Sequence, residues 1–203
     1  MAVTISALIR RWEQLHALRA DYDALRQEIA DVIDPFRGNT PRQIAPGSKR
    51  PEALFDSTAL QARKLLSASL HGTLTPSTQP WISLVMRDDR LNEIDEVRRF
   101  LEDCSTRLHK AYRQSAFAAA AHEMYADLVG PAATGCMFLD EKPLAASGGF
   151  GGFLFRAHPP AEYTLAEDAN GRVDTVFRDL QLSARAIVQR WGEASGAKVK
   201  ELA

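Results

Sequence analysis

Apolar residues recur every three or four positions along the first 34 residues of the chain. This spacing is typical of one face of an α-helix, and its members are Leu8, Trp12, Leu15, Tyr22, Leu25, Ile29 and Ile33. The pattern predicts one helix from Thr4 to Asp34, because Pro35 disfavours helical backbone at the residue before it. Thirty residues at a rise of about 1.5 Å each would span roughly 45 Å, a length suited to bracing an assembly.

Three further helical patterns follow before residue 130. The first covers residues 56–70 and opens with an Asp-Ser-Thr sequence that is suited to an N-cap. The second is expected to be capped by Asn92 and to bury Ile94, Val97, Phe100, Leu101, Leu108 and Tyr112. The third covers residues 115–129 and ends at a Gly-Pro pair. Between them, residues 81–86 are predicted to form a short strand.

Beyond residue 130 the apolar runs become shorter and favour strands. The expected strands of an antiparallel meander are residues 134–140, 154–157, 163–166 and 173–182. The Asn-Gly pair at 170–171 tolerates positive φ at both positions, as a tight hairpin turn requires. Ser183 is expected to cap a final helix through Trp191. The chain is therefore predicted to be α+β, with a mainly helical part over residues 1–130. Residues 131–203 are expected to form a small antiparallel sheet plus a helix, which pack on the helical part as one unit.

A segment rich in proline and glycine separates the first two helices. It covers residues 35–54, has no acidic residue between Asp34 and Glu52, and contains Arg37, Arg42, Lys49 and Arg50. A loop of this length is usually either functional or disordered. One interpretation is a solvated surface loop, and the other is a basic loop that contacts nucleic acid or a neighbouring subunit. These four basic residues are the candidate contact residues of the chain.

The amino-acid composition and the lengths of the apolar runs indicate a globular protein of the cytoplasm. The 203 residues have a formal net charge of −1, with 45% hydrophobic and 25% charged residues, values typical of a soluble globular protein. Cys104 and Cys136 are expected to be free thiols in a reducing compartment. The sequence has neither the apolar segment of a signal peptide nor a run long enough to span a membrane, so we expect a cytoplasmic protein without a membrane partner.

No residue pattern predicts a catalytic, cofactor or metal site. The glycine-rich run at 148–152 fits neither spacing of the common phosphate-binding loops. His122-Glu123 lacks the second histidine that a zinc-binding helix would have four residues later. The acidic pairs at 88–89 and 167–168 fall in predicted turns, where they are expected to face water. The tryptophans are expected to pack in a core or an interface rather than stack on bases.

Three segments, in order, resemble the head-to-tail connecting (portal) protein family of short-tailed phages. Residues 55–84 resemble its Ser-Thr-capped helix, Leu-Thr-Pro turn and Pro-Trp entry into a strand. Residues 115–141 are similar to its helix, glycine break and short apolar strand that ends in acids. Residues 162–192 are similar to its Tyr-containing strand, acidic Asn-Gly turn, second strand and following helix. The resemblance covers roughly residues 8–192.

The resemblance implies a structural protein without catalysis or cofactor. Family members form rings, usually of twelve copies, at one capsid vertex, and genome DNA passes through the ring during packaging and ejection. The implied partners are further copies, the capsid protein, tail adaptor proteins, the terminase and genome DNA, with assembly in the bacterial host cytoplasm and final localisation in the virion.

Length sets this chain apart from the family. Members are several hundred residues long, and their tunnel-lining helices and terminase-docking clip follow the matched region. The chain therefore resembles only the outer, wing-like part, and autonomous ring formation does not follow from the resemblance. A prophage remnant, an expressed piece and the ordered part of a longer protein would each account for the length.

Two other classes of function stay open at this point. A helical adaptor unrelated to phages would use the stripe between Leu8 and Ile33 to bind a partner helix, and it would be a monomer or dimer. An enzyme would need a deep pocket with convergent titratable groups of perturbed pKa. The leading hypothesis is a subunit of a phage or prophage connector ring.

Overall fold

A computed structural model of the protein describes residues 4–34, 56–142, 149–192 and 195–202. The chain divides into two compact units, Met1–Ala161 and Glu162–Ala203. Helices and short antiparallel strands build both units. The predicted α+β class is therefore confirmed, including the long N-terminal helix.

The described part of the first unit contains five helices and one pair of strands. These are α1 (Ile5–Ile33), α2 (Thr58–Leu74), α3 (Asp89–Asn92), α4 (Asp95–Arg113), α5 (Phe117–Leu128), β1 (Cys136–Glu141) and β2 (Phe153–His158). α2 is longer than predicted, because Gly72 has open space around it and stays within the helix. α5 packs against α2 on one side and against the β1–β2 pair on another.

The second unit contains another strand pair, followed by two short helices. These are β3 (Tyr163–Glu167), β4 (Val173–Arg178), α6 (Ala184–Trp191) and α7 (Ala197–Glu201). The Ser183 hydroxyl accepts a hydrogen bond from the backbone N–H of Ala186, so the predicted cap of α6 is confirmed. At the base of the hairpin, Arg178 Nη2 lies 2.9 Å from Glu162 Oε2.

The four strands pair as two separate antiparallel sheets, and the expectation of a single meander is wrong in this respect. In the first sheet Met137 lies opposite Ala157. In the second sheet Leu165 lies opposite Val176. The link from β2 to β3 contains Pro159 and Pro160, and neither proline has an N–H with which to continue a ladder.

The turn of the second hairpin also differs from its prediction. Gly171 takes a φ of 73°, whereas Asn170 is not among the described residues with positive φ. The turn is instead organised by Asp168, whose Oδ1 accepts hydrogen bonds from the backbone N–H of Asn170 at 2.8 Å and of Arg172 at 2.9 Å. These N–H groups stabilise the carboxylate and lower the pKa of Asp168.

Residues 81–86 form no strand in the described structure, so the strand predicted there is wrong. Backbone N–H groups that a partner strand would bind are bound by side chains from helices. His109 Nε2, on α4, accepts hydrogen bonds from the N–H of Trp81 at 2.9 Å and of Ile82 at 3.1 Å. The ring must be deprotonated at this nitrogen to accept both bonds.

Further along the segment, at Leu84 and Met86, side chains again bind the backbone groups that a partner strand would bind. The Ser105 hydroxyl accepts a hydrogen bond from Leu84 N–H at 2.9 Å. The Asn92 carboxamide accepts from Met86 N–H at 2.8 Å and donates to Met86 O at 3.1 Å. The predicted role of Asn92 as a helix cap is wrong, because its side chain binds the segment and α4 begins three residues later.

Aromatic rings form the centre of the first unit. The Tyr112 ring lies 4.9 Å from that of Phe117 and 5.1 Å from that of Phe155. Trp81 stacks on Phe117 at 5.2 Å, which agrees with the packing role expected for this tryptophan. The prediction of the buried face of α4 is confirmed only in part, since Phe100 is 66% exposed. Cys104 and Cys136 both have thiols and are half-buried.

Candidate functional site: exposed helix faces for assembly

The long helix α1 contacts its own chain through a face that contains charged residues. Asp23 and Ala30 are the buried residues of this helix. Arg19 Nε lies 2.8 Å from Asp23 Oδ1, and Arg19 Nη2 donates a hydrogen bond to Pro160 O at 2.7 Å. A polar contact therefore attaches the middle of α1 to a residue 141 positions away in the sequence.

A second polar contact fixes the C-terminal end of α1. Arg63 Nη2 on α2 lies 2.5 Å from Asp34 Oδ2, and both side chains are buried. Arg63 Nη1 also donates to Ala126 O at 3.2 Å. A Cβ added to Gly130 would lie 3.0 Å from Arg63 Nη1 and 2.9 Å from Ala126 O, so glycine leaves the space that the guanidinium occupies. Three helices therefore meet at one buried charge pair.

Another face of α1 contains exposed apolar side chains. Four of them recur at intervals of three, four or seven residues and are more than half exposed, and we call them the outer stripe: Leu18, Tyr22, Leu25 and Val32. Leu18 is 74% exposed, Tyr22 65% and Val32 60%. Alternating intervals of three and four residues are the pattern by which one helix packs along another. α1 therefore presents an apolar surface that the described residues leave exposed.

The outer stripe differs from the stripe that the sequence predicts. Four members of the predicted stripe, Trp12, Leu15, Ile29 and Ile33, are half-buried and do not belong to the outer stripe. Leu18 and Val32 were missed. Their three-and-four spacing from Tyr22, Leu25 and Ile29 was the signal that could have found them.

A second exposed face lies on α2. Arg63 and Ser67 are the buried residues of this helix. The exposed positions of the helix include Gln61, Lys64, Leu65 and Leu66. Leu65 is 71% exposed and Leu66 is 52% exposed. The two neighbouring leucines form an exposed apolar patch on the surface of α2.

The described residues also form a basic groove beside the C-terminal half of α4. The groove has a volume of about 380 Å³, and its lining includes Arg107, Lys110, Lys142 and Phe150. No acidic side chain is part of this lining within the described residues. The sequence pattern did not reveal the groove, because the α4 cations alternate with acids along the chain and Lys142 comes from the end of β1. A local basic surface thus exists in a chain of nearly neutral net charge.

The four basic residues predicted as contact residues, Arg37, Arg42, Lys49 and Arg50, lie outside the described residues. The whole segment 35–54 does so as well. Their role stays a prediction.

Two histidines that are far apart in sequence come together in the first unit. The His71 ring lies 6.1 Å from the His122 ring, and His71 Nδ1 lies 3.1 Å from the Thr75 hydroxyl oxygen. Burial lowers the pKa of His71, and the neighbouring His122 lowers it further. In the part of the chain that the structure describes, no three His, Cys, Asp or Glu side chains are grouped so that they could hold a metal ion.

Among the helices that the structure describes, none is both long enough and apolar enough to cross a lipid bilayer.

The structure is thus an α+β protein with exposed apolar side chains on two of its helices. The sequence matches the bacteriophage head to tail connecting protein family over residues 6–203, and the chain belongs to that family. The resemblance inferred from three ordered segments is therefore confirmed.

Two relatives show how much of a family member's length the chain matches. It is 26% identical over 188 residues to a protein of Bordetella phage BPP-1 described as a probable portal protein, covering 92% of this chain and 32% of that protein. It is 25% identical over 189 residues to the portal protein of Salmonella phage epsilon15, covering 91% of this chain and 32% of that protein. The chain thus spans about a third of the length of these curated relatives.

Proposed function

We propose that the chain is a structural subunit of a portal ring at one vertex of a phage or prophage capsid. Its role is to hold neighbouring subunits in a fixed orientation while DNA enters and leaves the head and tail proteins attach. The proposal assigns it no catalytic step and no cofactor. Its site of action is the virion, after assembly in the host cytoplasm.

The outer stripe of α1 is the observation that supports this proposal most directly. Four large side chains, at positions 18, 22, 25 and 32, are each more than half exposed on one helix face. Exposed apolar surface of this kind is unfavourable in water and marks a protein interface. The ion pair of Asp34 with Arg63 and the hydrogen bond from Arg19 to Pro160 O hold α1 to the rest of the first unit, so α1 can transmit a fixed geometry to a neighbour.

Family membership extends the proposal to partners. We propose a ring of twelve copies that contacts the capsid protein, tail adaptor proteins and the terminase. We also propose non-specific contacts with genome DNA through Arg37, Arg42, Lys49 and Arg50. The nearly neutral net charge agrees with a conduit, since strong binding to DNA would oppose its passage.

Particle size and rotational symmetry test this function. The purified chain is examined by mass photometry and negative-stain electron microscopy over a wide range of concentration. Closed particles with rotational symmetry of order greater than two are expected. A strict monomer at every concentration would contradict the ring.

A helical adaptor unrelated to phage assembly is the second candidate, because the outer stripe alone would also bind a helix of a different protein. A stable dimer joined through α1, without larger particles, would favour the adaptor over the ring.

A further inference from the structure

We infer that the basic groove beside the C-terminal half of α4 binds an acidic segment of a partner protein, a peptide in which carboxylates stand next to an apolar side chain. The inference goes beyond the proposed function and does not depend on it, because such a peptide would bind a ring subunit and an adaptor alike. The residues that carry it all lie in the first unit.

The basic surface continues past this groove. A second groove, with a volume of about 660 Å³, adjoins it along α4, because Lys110 and Gln114 line both. The lining of the second groove adds Arg113 and His109, and it contains no acidic side chain among the described residues. Acidic residues are 26 of the 203 in the chain, so two adjoining linings without one indicate a surface suited to an anion.

Most cations of these linings have no partner in the described part of the chain. Arg107 Nε lies 2.9 Å from Asp103 Oδ2, and both side chains are exposed. By contrast, Lys110, Arg113 and Lys142 form no ion pair within the described residues. The negative end of a helix dipole amounts to about half a unit charge, so the end of α4 offsets only part of three positive charges. An anion in the groove would offset the rest.

Two elements of the fold hold the cations at the groove before a ligand binds. Lys110 belongs to the last turn of α4. Lys142 N–H donates a hydrogen bond to Gly152 O at 2.8 Å, which extends the β1–β2 ladder by one residue beyond Glu141 and Phe153. Because both backbones are already ordered by hydrogen bonds, binding costs mainly the ordering of the two lysine side chains.

Size and an exposed aromatic ring favour a peptide as the ligand. Pockets that hold small ligands have volumes of about 300–1,000 Å³, so a groove of about 380 Å³ holds only a few residues of a peptide. A DNA duplex presents its phosphates on a wide convex surface that cannot enter such a groove. The Phe150 ring in the lining is 56% exposed and lies 5.0 Å from the Phe153 ring. Clusters of cations recognise acidic peptide motifs, and an aromatic ring beside them adds an apolar contact.

Peptide binding measured by fluorescence anisotropy tests the inference. The probe is a fluorescein-labelled, C-terminally amidated peptide of eight residues, in which four glutamates alternate with three serines and one central phenylalanine. We expect it to bind the unmodified chain at low salt and to bind more weakly as salt is added. Lys110→Gln with Lys142→Gln is expected to weaken binding about tenfold or more, since bonds to charged groups are lost. No binding of the probe at low salt would overturn the inference.

The chain offers a matched control for this groove variant. Lys64→Gln with Lys198→Gln removes the same two charges at exposed positions outside the lining. Circular dichroism verifies that both variants fold. The control is expected to bind the probe like the unmodified chain. Equal weakening in the two variants would show attraction to the overall charge of the chain, and it would overturn the groove as the site.

The apolar part of the site has its own test. Phe150→Ala is expected to weaken binding of the probe, but not of a second peptide that has serine in place of the phenylalanine. Such coupling locates the apolar side chain of the peptide at Phe150. Equal effects on the two peptides would reduce the groove to a general anion site and would overturn the inference.

Two other occupants are tested in parallel. A labelled thymidine pentamer carries four phosphodiester charges, which match the four glutamates, and it is expected to bind more weakly than the probe. Binding as tight as that of the probe, and lost in the groove variant, would overturn the inference in favour of single-stranded nucleic acid. Self-association that is lost in the groove variant, with no binding of the probe to the unmodified chain, would assign the groove to an acidic surface of a second copy. Peptide binding by a chain that forms no ring would support the inference and contradict only the proposed function.

Discussion

Arg63 Nη2 lies 2.5 Å from Asp34 Oδ2, and this buried pair joins the C-terminal end of α1 to α2. Removing one member of such a pair leaves the other charge buried without compensation, which costs about 3–5 kcal/mol. We predict that Asp34→Ala lowers the free energy of unfolding by that amount, as measured by urea denaturation. The exposed pair of Arg98 and Asp95 provides the control, because Asp95→Ala should change stability by less than about 1 kcal/mol. Equal losses in the two variants would contradict a special role for Asp34.

Gly130 is predicted to be intolerant of even one added methyl group. A Cβ at this position would lie 2.9 Å from Ala126 O and 3.0 Å from Arg63 Nη1, so backbone or guanidinium must shift. Gly130→Ala should therefore reduce stability. Gly72→Ala is the matched control, since Gly72 lies within α2 and has open space around it. That change should stabilise the chain by about 0.5–1 kcal/mol, because alanine favours helix over glycine. Thermal unfolding of both variants checks the opposite signs.

Replacing His109 is predicted to reduce the protection of the Trp81 and Ile82 amides against hydrogen exchange. His109→Ala removes the acceptor of the Trp81 and Ile82 N–H groups, and an unsatisfied buried donor costs about 1–3 kcal/mol. Hydrogen exchange at Trp81 and Ile82 should therefore become faster. Leu84 is the internal control, because Ser105 still accepts its N–H. Unchanged exchange at all three amides would show that the segment does not depend on these bonds.

The second hairpin is predicted to lose order in acid through Asp168. Hydrogen bonds from the N–H of Arg172 and Asn170 lower the pKa of this carboxyl from 3.8. Because the folded pKa lies below the unfolded value, the stabilisation is fully present above the unfolded pKa and is lost as pH falls through the folded pKa. Exchange at Asn170 and Arg172 should therefore quicken only below about pH 4. In Asp168→Ala it should already be fast at neutral pH. A carboxyl titration by NMR at or above 3.8 would contradict the prediction.

Sequence patterns predicted individual elements of this fold well and their partners poorly. The helical period and Pro35 placed α1 within one residue of its observed bounds, because both signals are local. The inward side of α1 could not be predicted, since Arg19 and Asp34 find their partners at Pro160 and Arg63, far away in sequence.

The segment at 81–86 shows the same limit. Its local apolar residues predicted a strand, and the described structure has none there. Its backbone N–H groups bind side chains up to 28 residues later in the sequence. A local apolar pattern cannot reveal that these helix side chains take the place of a partner strand. An apolar stripe on α1 was predicted, but its exposure could not be, because such a stripe indicates burial without saying by which chain.

The remaining prediction concerns the basic residues and DNA. Each phosphate contact that a cation makes releases counterions, and it contributes about 0.9 to the slope of log K against log salt. Replacing Arg37, Arg42, Lys49 and Arg50 with glutamine should therefore weaken binding of a DNA duplex and reduce that slope by up to about 3.6. Lys110→Gln with Lys142→Gln provides the comparison, because these residues line the groove beside α4. Fluorescence anisotropy at several salt concentrations measures both variants.

A slope that falls only in the groove variant would move the DNA contact from the 35–54 segment to the groove. If neither slope changes, the segment at 35–54 is a solvated loop and DNA passes without touching either basic surface.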